Sequence, residues 1–349
     1  MKNVNIAFFD AKKYDIDFFE QANKKFGFRI KYFSEKLSSE NVFLTKDFDA
    51  VCVFVNDKID KDVIGILQKF KIKLIALRCA GYNNVDLKYA FKRIHVVRVP
   101  EYSPNAVAEH AVALMLALNR KTHKSYLRTR ENNFSIEGLL GFDMFGKTAG
   151  IIGTGKIGKA LIKILKGFGM KILAYDLYPD ADFAKEMGIE YCSLPKIYRE
   201  SDIISLHCPL TDKTFHLINE KSIAMMKKSV MIINTGRGKL IDTKALIKAL
   251  KKSRIGCAGL DVYEEESEYF FRDYSSSFID DDTLARLLTF GNVLITSHQG
   301  FFTKEALTNI AFTTLENISN YFFKDFLPNE ICYKCNRAKC LKKSLGKCF

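Results

Sequence analysis

Lys147 to Asp176 reads KTAGIIGTGKIGKALIKILKGFGMKILAYD, and its reading decides the fold. Thr148 to Gly153 is a short apolar run that suits a buried parallel strand. Gly153, Gly155 and Gly158 follow as G-x-G-x-x-G. In that order the first glycine makes a tight turn, the second lets backbone approach a pyrophosphate, and the third lets helix and strand pack closely. From Lys156 to Gly167 apolar residues recur at helical spacing, and Gly167 and Gly169 end the helix. Its unpaired amides and positive dipole end suit a diphosphate. Met170 to Tyr175 is the next strand, with Asp176 at its tip, 18 residues after Gly158. A carboxylate there can accept hydrogen bonds from both ribose hydroxyls of NAD and would repel the 2′-phosphate of NADP. A bare G-x-G-x-x-G is also found in ordinary glycine turns. The flanking strand, helix and acid make this one an NAD site.

Working outward, 349 residues exceed one average core, so two domains are expected. The chain is 48% hydrophobic, which excludes a disordered protein. No apolar run approaches a membrane span, since Ala111 to Leu118 is the best candidate. Asp10 interrupts the start before any signal-peptide core can develop, so the expected compartment is the cytoplasm. The net charge of +14 is uneven: six basic residues follow Glu330 with no acid among them. The body is therefore only mildly basic, with no basic and aromatic stripe for nucleic acid. Of nine cysteines, five are scattered, most of them in apolar runs, and four crowd the last 18 residues. An odd total in a cytosolic-looking chain argues against a disulfide framework.

The first hundred residues alternate strand and helix and give a parallel sheet of five strands without a glycine fingerprint. The turn Cys79 to Asn84 falls at the ligand-facing end of its strand, although a plain glycine connection would look the same. Ser103 or Asn105 is expected to cap a helix over Ala106 to Lys121. That helix is apolar over much of its circumference, so it should be buried between domains or between subunits. Glu109 and His110 are adjacent, face different directions and read as structural.

Beyond the glycine turn, each strand ends in a polar cluster: His207-Cys208-Pro209, Thr235-Gly236-Arg237, Asp261-Val262-Tyr263 and Ser297-His298. Carboxyl ends of strands are where such sheets bind ligands. Arg237, Glu266 and His298 form a possible catalytic set. A guanidinium grips a carboxylate through two parallel hydrogen bonds. A histidine beside a carboxylate stays protonated near neutral pH and can donate a proton as hydride reaches a carbonyl carbon. The alternatives are a solvated acidic run at Glu266, a core histidine and a surface arginine.

The motifs RCAGYNNVD, VVRVPEYSPNAVAEHA, FGKTAGIIGTGKIG, ISLHCPLT, INTGRGKLID, GLDVYEEE and ITSHQGFFTKEAL stand in one order along the chain. In them the sequence resembles the D-isomer-specific 2-hydroxyacid dehydrogenases, most closely the bacterial fermentative D-lactate dehydrogenase branch, from the first strand to about Glu330. The resemblance implies reversible, NAD-dependent reduction of pyruvate. Arg237 would bind the substrate carboxylate, and Glu266 would pair with the acid/base His298. Cofactor contacts would fall on Gly153, Gly155, Lys156, Ile157, Gly158, Asp176, Cys208, Pro209, Thr235 and Asp261. The amides of Ala80 and Gly81 and the ring of Tyr102 would meet the substrate. A larger 2-oxo acid, or a dinucleotide-sensing binding protein of the same fold, is the competing reading.

The resemblance also implies an α/β architecture of two doubly wound parallel-sheet domains. A Rossmann dinucleotide-binding domain (101–298) is inserted into a discontinuous flavodoxin-like substrate domain (1–100 and 299–331). A homodimer or homotetramer is implied, paired through the helix near Ala106 to Asn119; neither nucleic acid nor membrane is expected as a partner. Residues 332–349 depart from the pattern. Cys332, Cys335, Cys340 and Cys348 give C-x2-C-x4-C-x7-C among lysines. Clustered thiolates suit a soft metal or an iron–sulfur group. Only one knuckle-like pair is clear, so the favoured expectation is a flexible basic extension without metal.

Overall fold

A computed structural model describes residues 4–335 and 342–349. The chain divides into two compact units, one of Met1–Ser103 with Phe302–Phe349 and one of Pro104–Phe301.

The first unit carries a parallel sheet of β1 (Asn5–Phe8), β2 (Arg29–Tyr32), β3 (Ala50–Val53), β4 (Leu74–Leu77) and β5 (His95–Val97) in the order β2-β1-β3-β4-β5. The runs AVCV and LIAL of β3 and β4 are buried throughout, as expected of central strands covered on both faces. Helices Lys13–Asn23 and Lys304–Lys324 pack against each other beside the sheet. Asp60 caps helix Lys61–Lys69 by accepting from the amides of Asp62 and Val63.

The second unit carries β6 (Thr148–Ile152), β7 (Lys171–Tyr175), β8 (Glu190–Tyr191), β9 (Ile203–Leu206), β10 (Met231–Asn234), β11 (Cys257–Leu260) and β12 (Val293–Ile295). All pair in parallel in the order β12-β11-β10-β9-β6-β7-β8. The strand order reverses at β6, whose next strand in sequence, β7, lies on one side and β9 on the other. Sequence periodicity misses β8, because two residues cannot show alternation.

Helix Pro104–Arg120 departs from expectation in two ways. It begins at Pro104, so Asn105 lies inside its first turn and is not the cap. Its apolar face is buried within its own unit: Ala108, Ala111, Leu114 and Met115 join Leu161, Leu165 and Ile233 in one core. A Cβ on Gly259 of β11 would come within 3.1 Å of Leu118 and 3.2 Å of Leu114, so glycine lets the helix lie against the strand. The apolar circumference of this helix therefore needs no second subunit to explain it.

The described part of the C-terminal segment also corrects the expectation of a flexible extension. Glu330 bridges Val97 of β5, and the amide of Leu327 donates to the carbonyl of Gly346 at 3.0 Å. Phe349 stacks on His95 at 4.3 Å, and Cys348 is buried. Cys340, Arg337 and Lys339 lie outside the described residues. Among the described residues no helix is long and apolar enough to cross a membrane.

Candidate active site

Register brings the carboxyl ends of the seven-stranded sheet to one level. Tyr175, Ile152, Leu206, Asn234, Leu260 and Ile295 form a continuous row of Cα partners across β7, β6, β9, β10, β11 and β12. The residues that follow them are Asp176, Gly153, His207, Thr235, Asp261 and Thr296. A parallel sheet thus aligns residues scattered over 144 positions of sequence, from Gly153 to Thr296.

The glycine turn has the local geometry that its residues dictate. Gly153 has φ +98°, where an L side chain is strained, and a Cβ would meet the Cys208 amide nitrogen at 2.4 Å. At Gly158 a Cβ would sit 2.1 Å from the Gly153 carbonyl oxygen, so this glycine lets the helix pack onto the strand. Gly155 faces open space and begins helix Lys156–Gly167 with no side-chain cap. The first amides of that helix, from Lys156, Ile157 and Gly158, precede any intrahelical partner.

Asp176 is fixed beside this turn. One carboxylate oxygen accepts from the amide of Thr154 at 2.7 Å, and the other from the amide of Tyr178 at 2.9 Å. Across the reversal point, burial pushes the Cys208 thiol up to about 11, so it is neutral and unsuited to nucleophilic work. The Pro209 carbonyl accepts from the Thr214 hydroxyl at 2.6 Å. The Thr235 hydroxyl is buried without a hydrogen-bond partner, which a bound polar group would supply. Open backbone at Gly155, uncapped helix amides, an acid at the strand tip and an orphaned hydroxyl all fit a dinucleotide.

The structure joins two members of the catalytic set. His298 Nδ1 lies 2.8 Å from Glu266 Oε1, and both side chains are 18% exposed. Glu266 is held in turn by the amide of Tyr263, which donates to Oε2 at 3.0 Å. With Nδ1–H donating to the carboxylate, Nε2 is left as the atom that can give or take a proton. His298 has φ +53°, an uncommon conformation for this residue, and its amide donates to the Asp261 carbonyl at 2.8 Å. Arg237, after β10, donates from Nη1 to the Gly236 carbonyl at 2.7 Å. Among the described residues no hydrogen bond or ion pair links it to Glu266 or His298.

Sequence reasoning missed the support beneath His298. The Asp261 carboxylate is 1% exposed and turned toward its own loop. Its Oδ1 accepts from the Thr296 hydroxyl at 2.5 Å and the Gln299 amide at 2.9 Å, and its Oδ2 from the Gly300 amide at 2.8 Å. His110 Nε2 is 3.2 Å from the same carboxylate and 3.0 Å from Thr296 Oγ1. Burial alone would raise Asp261, but the hydrogen bonds from His110 and Thr296 outweigh it and hold the carboxyl below its usual range. Only the adjacency of Glu109 and His110 is visible in sequence; that His110 turns inward and Glu109 stays exposed depends on the helix docking.

In the first unit, Ala80 and Gly81 stand just beyond the carboxyl end of β4, and Arg98 Nη1 donates to the Ala80 carbonyl at 2.6 Å. The Ala80 and Gly81 amides make no hydrogen bond among the described residues. The Tyr102 carbonyl accepts from Asn309 at 2.7 Å.

A doubly wound sheet with a glycine turn at its reversal point and a histidine–carboxylate pair on the same edge defines an NAD-dependent oxidoreductase of the α/β class. Comparison with known proteins narrows the class. The family model described as "D-isomer specific 2-hydroxyacid dehydrogenase, NAD binding domain" matches residues 112–300. The D-lactate dehydrogenase of Escherichia coli K12 is 52% identical over 329 residues, which are 94% of this chain and the whole of that protein. The apo-structure of the E. coli D-lactate dehydrogenase superposes with a TM-score of 0.86 at 50% identity, over 94% of this chain and 100% of that one. A D-lactate dehydrogenase from Lactobacillus jensenii, solved with NAD+, gives a TM-score of 0.75 at 35% identity, over 90% and 95% of the two chains. This chain belongs to the D-isomer-specific 2-hydroxyacid dehydrogenase family.

Proposed function

We propose that the enzyme interconverts pyruvate and D-lactate, with His298 as acid/base, Glu266 as its partner and Arg237 as the carboxylate-binding residue. The observation that carries this reading is the His298–Glu266 pair at 2.8 Å, on the sheet edge that holds the dinucleotide turn. The identity to D-lactate dehydrogenases supports pyruvate as the substrate.

Arg237 has a planar fork that matches a carboxylate and orients the neighbouring carbonyl. Glu266 stabilises the imidazolium and fixes the tautomer, so His298 Nε2 carries the mobile proton. In reduction that proton passes to the carbonyl oxygen, and in oxidation Nε2 takes it back from the hydroxyl. When bound, the nicotinamide cofactor supplies or accepts the hydride at the substrate carbon. Asp261, pinned by His110 and Thr296, holds the loop that sets the His298 backbone. Lys156, Ile157 and Gly158 would receive the pyrophosphate, Asp176 the ribose, and Cys208, Pro209, Thr235 and Asp261 the remaining contacts. Ala80, Gly81 and Tyr102 are the substrate contacts assigned to the first unit.

Self-association accompanies this reading. Between residues 126 and 145, Tyr126, Leu127, Phe134, Ile136, Leu140 and Phe145 are all at least 59% exposed. So dense a group of bare apolar side chains marks an interface. A second copy of the chain covering this arm gives the homodimer or homotetramer. A cytoplasmic location goes with a nicotinamide-linked reaction and with cysteines that, among the described residues, form no disulfide.

The test is NADH oxidation with pyruvate and a panel of larger 2-oxo acids, with the chirality of the product determined. Fast conversion of pyruvate to the D-isomer is expected. Preference for a bulkier acid would move the substrate assignment, and tight NADH binding without turnover would favour a sensor.

A further inference from the structure

The C-terminal segment holds a cluster that the dehydrogenase reaction does not use. The thiols of Cys332, Cys335 and Cys348 converge, with all three sulfurs within 4.8 Å of one another. The Cys335–Cys332 and Cys335–Cys348 separations are 3.8 Å and 3.7 Å. A disulfide has its sulfurs at about 2.05 Å, well inside these distances. Thiolates on a tetrahedral zinc ion, with Zn–S bonds of about 2.3 Å, lie ~3.8 Å apart. The spacing is that of ligands on a shared ion.

The surroundings have the same character. Cys332 and Cys348 are 7% and 2% exposed. Backbone N–H groups point at sulfur: Lys334 donates to Cys332 Sγ at 3.4 Å, and Cys332 donates to Cys335 Sγ at 3.1 Å. Such donors stabilise thiolate and orient ligands in metal knuckles. The walls belong to the folded unit. Glu330 accepts from the Cys348 amide and pairs with His95 at 2.6 Å, while the Ile331 amide donates to the Val96 carbonyl at 2.8 Å. The Lys342 ammonium donates to the Glu330 carbonyl at 2.9 Å, and Lys347 pairs with Asp325 at 2.7 Å.

We propose that Cys332, Cys335 and Cys348 form a structural zinc site that staples the C-terminal segment to the first unit. Cys340, the remaining member of the C-x2-C-x4-C-x7-C series, lies outside the described residues. Three thiolates on one divalent ion carry a net charge of −1, which lysines of this segment oppose. Binding of the ion displaces the thiol protons to solvent, with no change of oxidation state.

The test uses the full-length protein, reduced and handled without oxygen. Metal analysis after exposure to zinc chloride and desalting is expected to give about one zinc per chain. Cobalt(II) added to the apo-protein should give the sulfur-to-metal charge-transfer and visible bands of a tetrahedral thiolate site, and zinc should displace them. Cys332→Ser and Cys335→Ser should each lower the zinc content at least ~10-fold, while Cys192→Ser should leave it unchanged. The cobalt spectrum is read on the unaltered chain, so a variant that fails to fold does not shelter the proposal. Absence of zinc and of cobalt bands overturns it. So does iron with acid-labile sulfide in place of zinc, or a disulfide among these cysteines in protein alkylated anaerobically.

Discussion

Strands β1 and β6 occupy the same topological place, each at the reversal point of a doubly wound parallel sheet, yet the chain leaves them differently. After β6 come Gly153-Thr154-Gly155 and a helix that no side chain caps. After β1 come Phe9 and Asp10, with Asp10 at φ +50°, and the space beside them is filled. The Arg78 guanidinium stacks 4.6 Å from the rings of both Phe8 and Phe54. It donates to the Asp10 carbonyl at 2.8 Å and lies 3.4 Å from Asp15. One fold thus gives an open edge where small residues leave backbone exposed and a closed edge where a buried cation takes the crevice. The architecture supplies a place for a ligand, and a few turn residues decide whether it is used.

The largest effect expected on the open edge is on chemistry. His298→Gln should lower kcat by about 10²- to 10⁴-fold, the usual size of an acid/base contribution, with NADH affinity unchanged in a fluorescence titration. A variant with normal turnover would remove His298 from the mechanism. On the closed edge the largest effect is on stability. Arg78→Met strips the partner from a buried carboxylate and should cost about 3–5 kcal/mol in urea denaturation. It should not create a second dinucleotide site, because no glycine turn lies beneath. An Arg78→Met protein as stable as its parent would mean that the guanidinium is not the plug described.

Smaller effects separate the glycines. Gly158→Ala places a Cβ against backbone and should lower the melting temperature. Gly155→Ala meets open space, so it should keep the parent's melting temperature but weaken NADH binding by about tenfold, or ~1.4 kcal/mol. Equal effects on melting at the two positions would contradict this division of roles. Asp176→Ser should erode the preference for NADH over NADPH by roughly the same factor, measured as a ratio of kcat/KM values.

Much of the open edge was legible because it is local. Strand, glycine turn, helix and acid follow within thirty residues, and each has its own signature in the order of side chains. Polar clusters after apolar runs marked the other strand ends for the same reason. What escaped depends on docking. His110 beneath Asp261, the burial of helix Pro104–Arg120 within its own unit and the Arg78 plug are contacts between residues tens of positions or more apart, which no spacing rule encodes. The C-terminal cysteines were visible as a pattern, but only the folded first unit brings three sulfurs together.

The finest comparison between the units is in pH. In the first unit Asp57 accepts the amides of Leu37 and Phe54, both at 2.5 Å, one on each oxygen. Burial raises it to about 6, against the opposing pull of Arg78 and those amides. In the second unit loss of solvent around the His207 ring lowers it to about 4. A raised acid binds protons more tightly when folded, so the Asp57 contribution is full below pH ~4 and lost as pH rises through ~6. A lowered histidine has the opposite sign: its contribution is full above pH ~6.5 and lost as pH falls through ~4. Each amounts to about 3 kcal/mol over that window. Asp57→Asn should therefore be closer to its parent in stability at pH 6.5 than at pH 4, beyond a constant loss from giving one amide no acceptor. His207→Gln should show the reverse. Parallel stability curves for Asp57→Asn and the parent would mean that the two amides and Arg78 keep Asp57 ionised throughout, and the closed edge would then hold a second carboxylate against Arg78 beside that of Asp15.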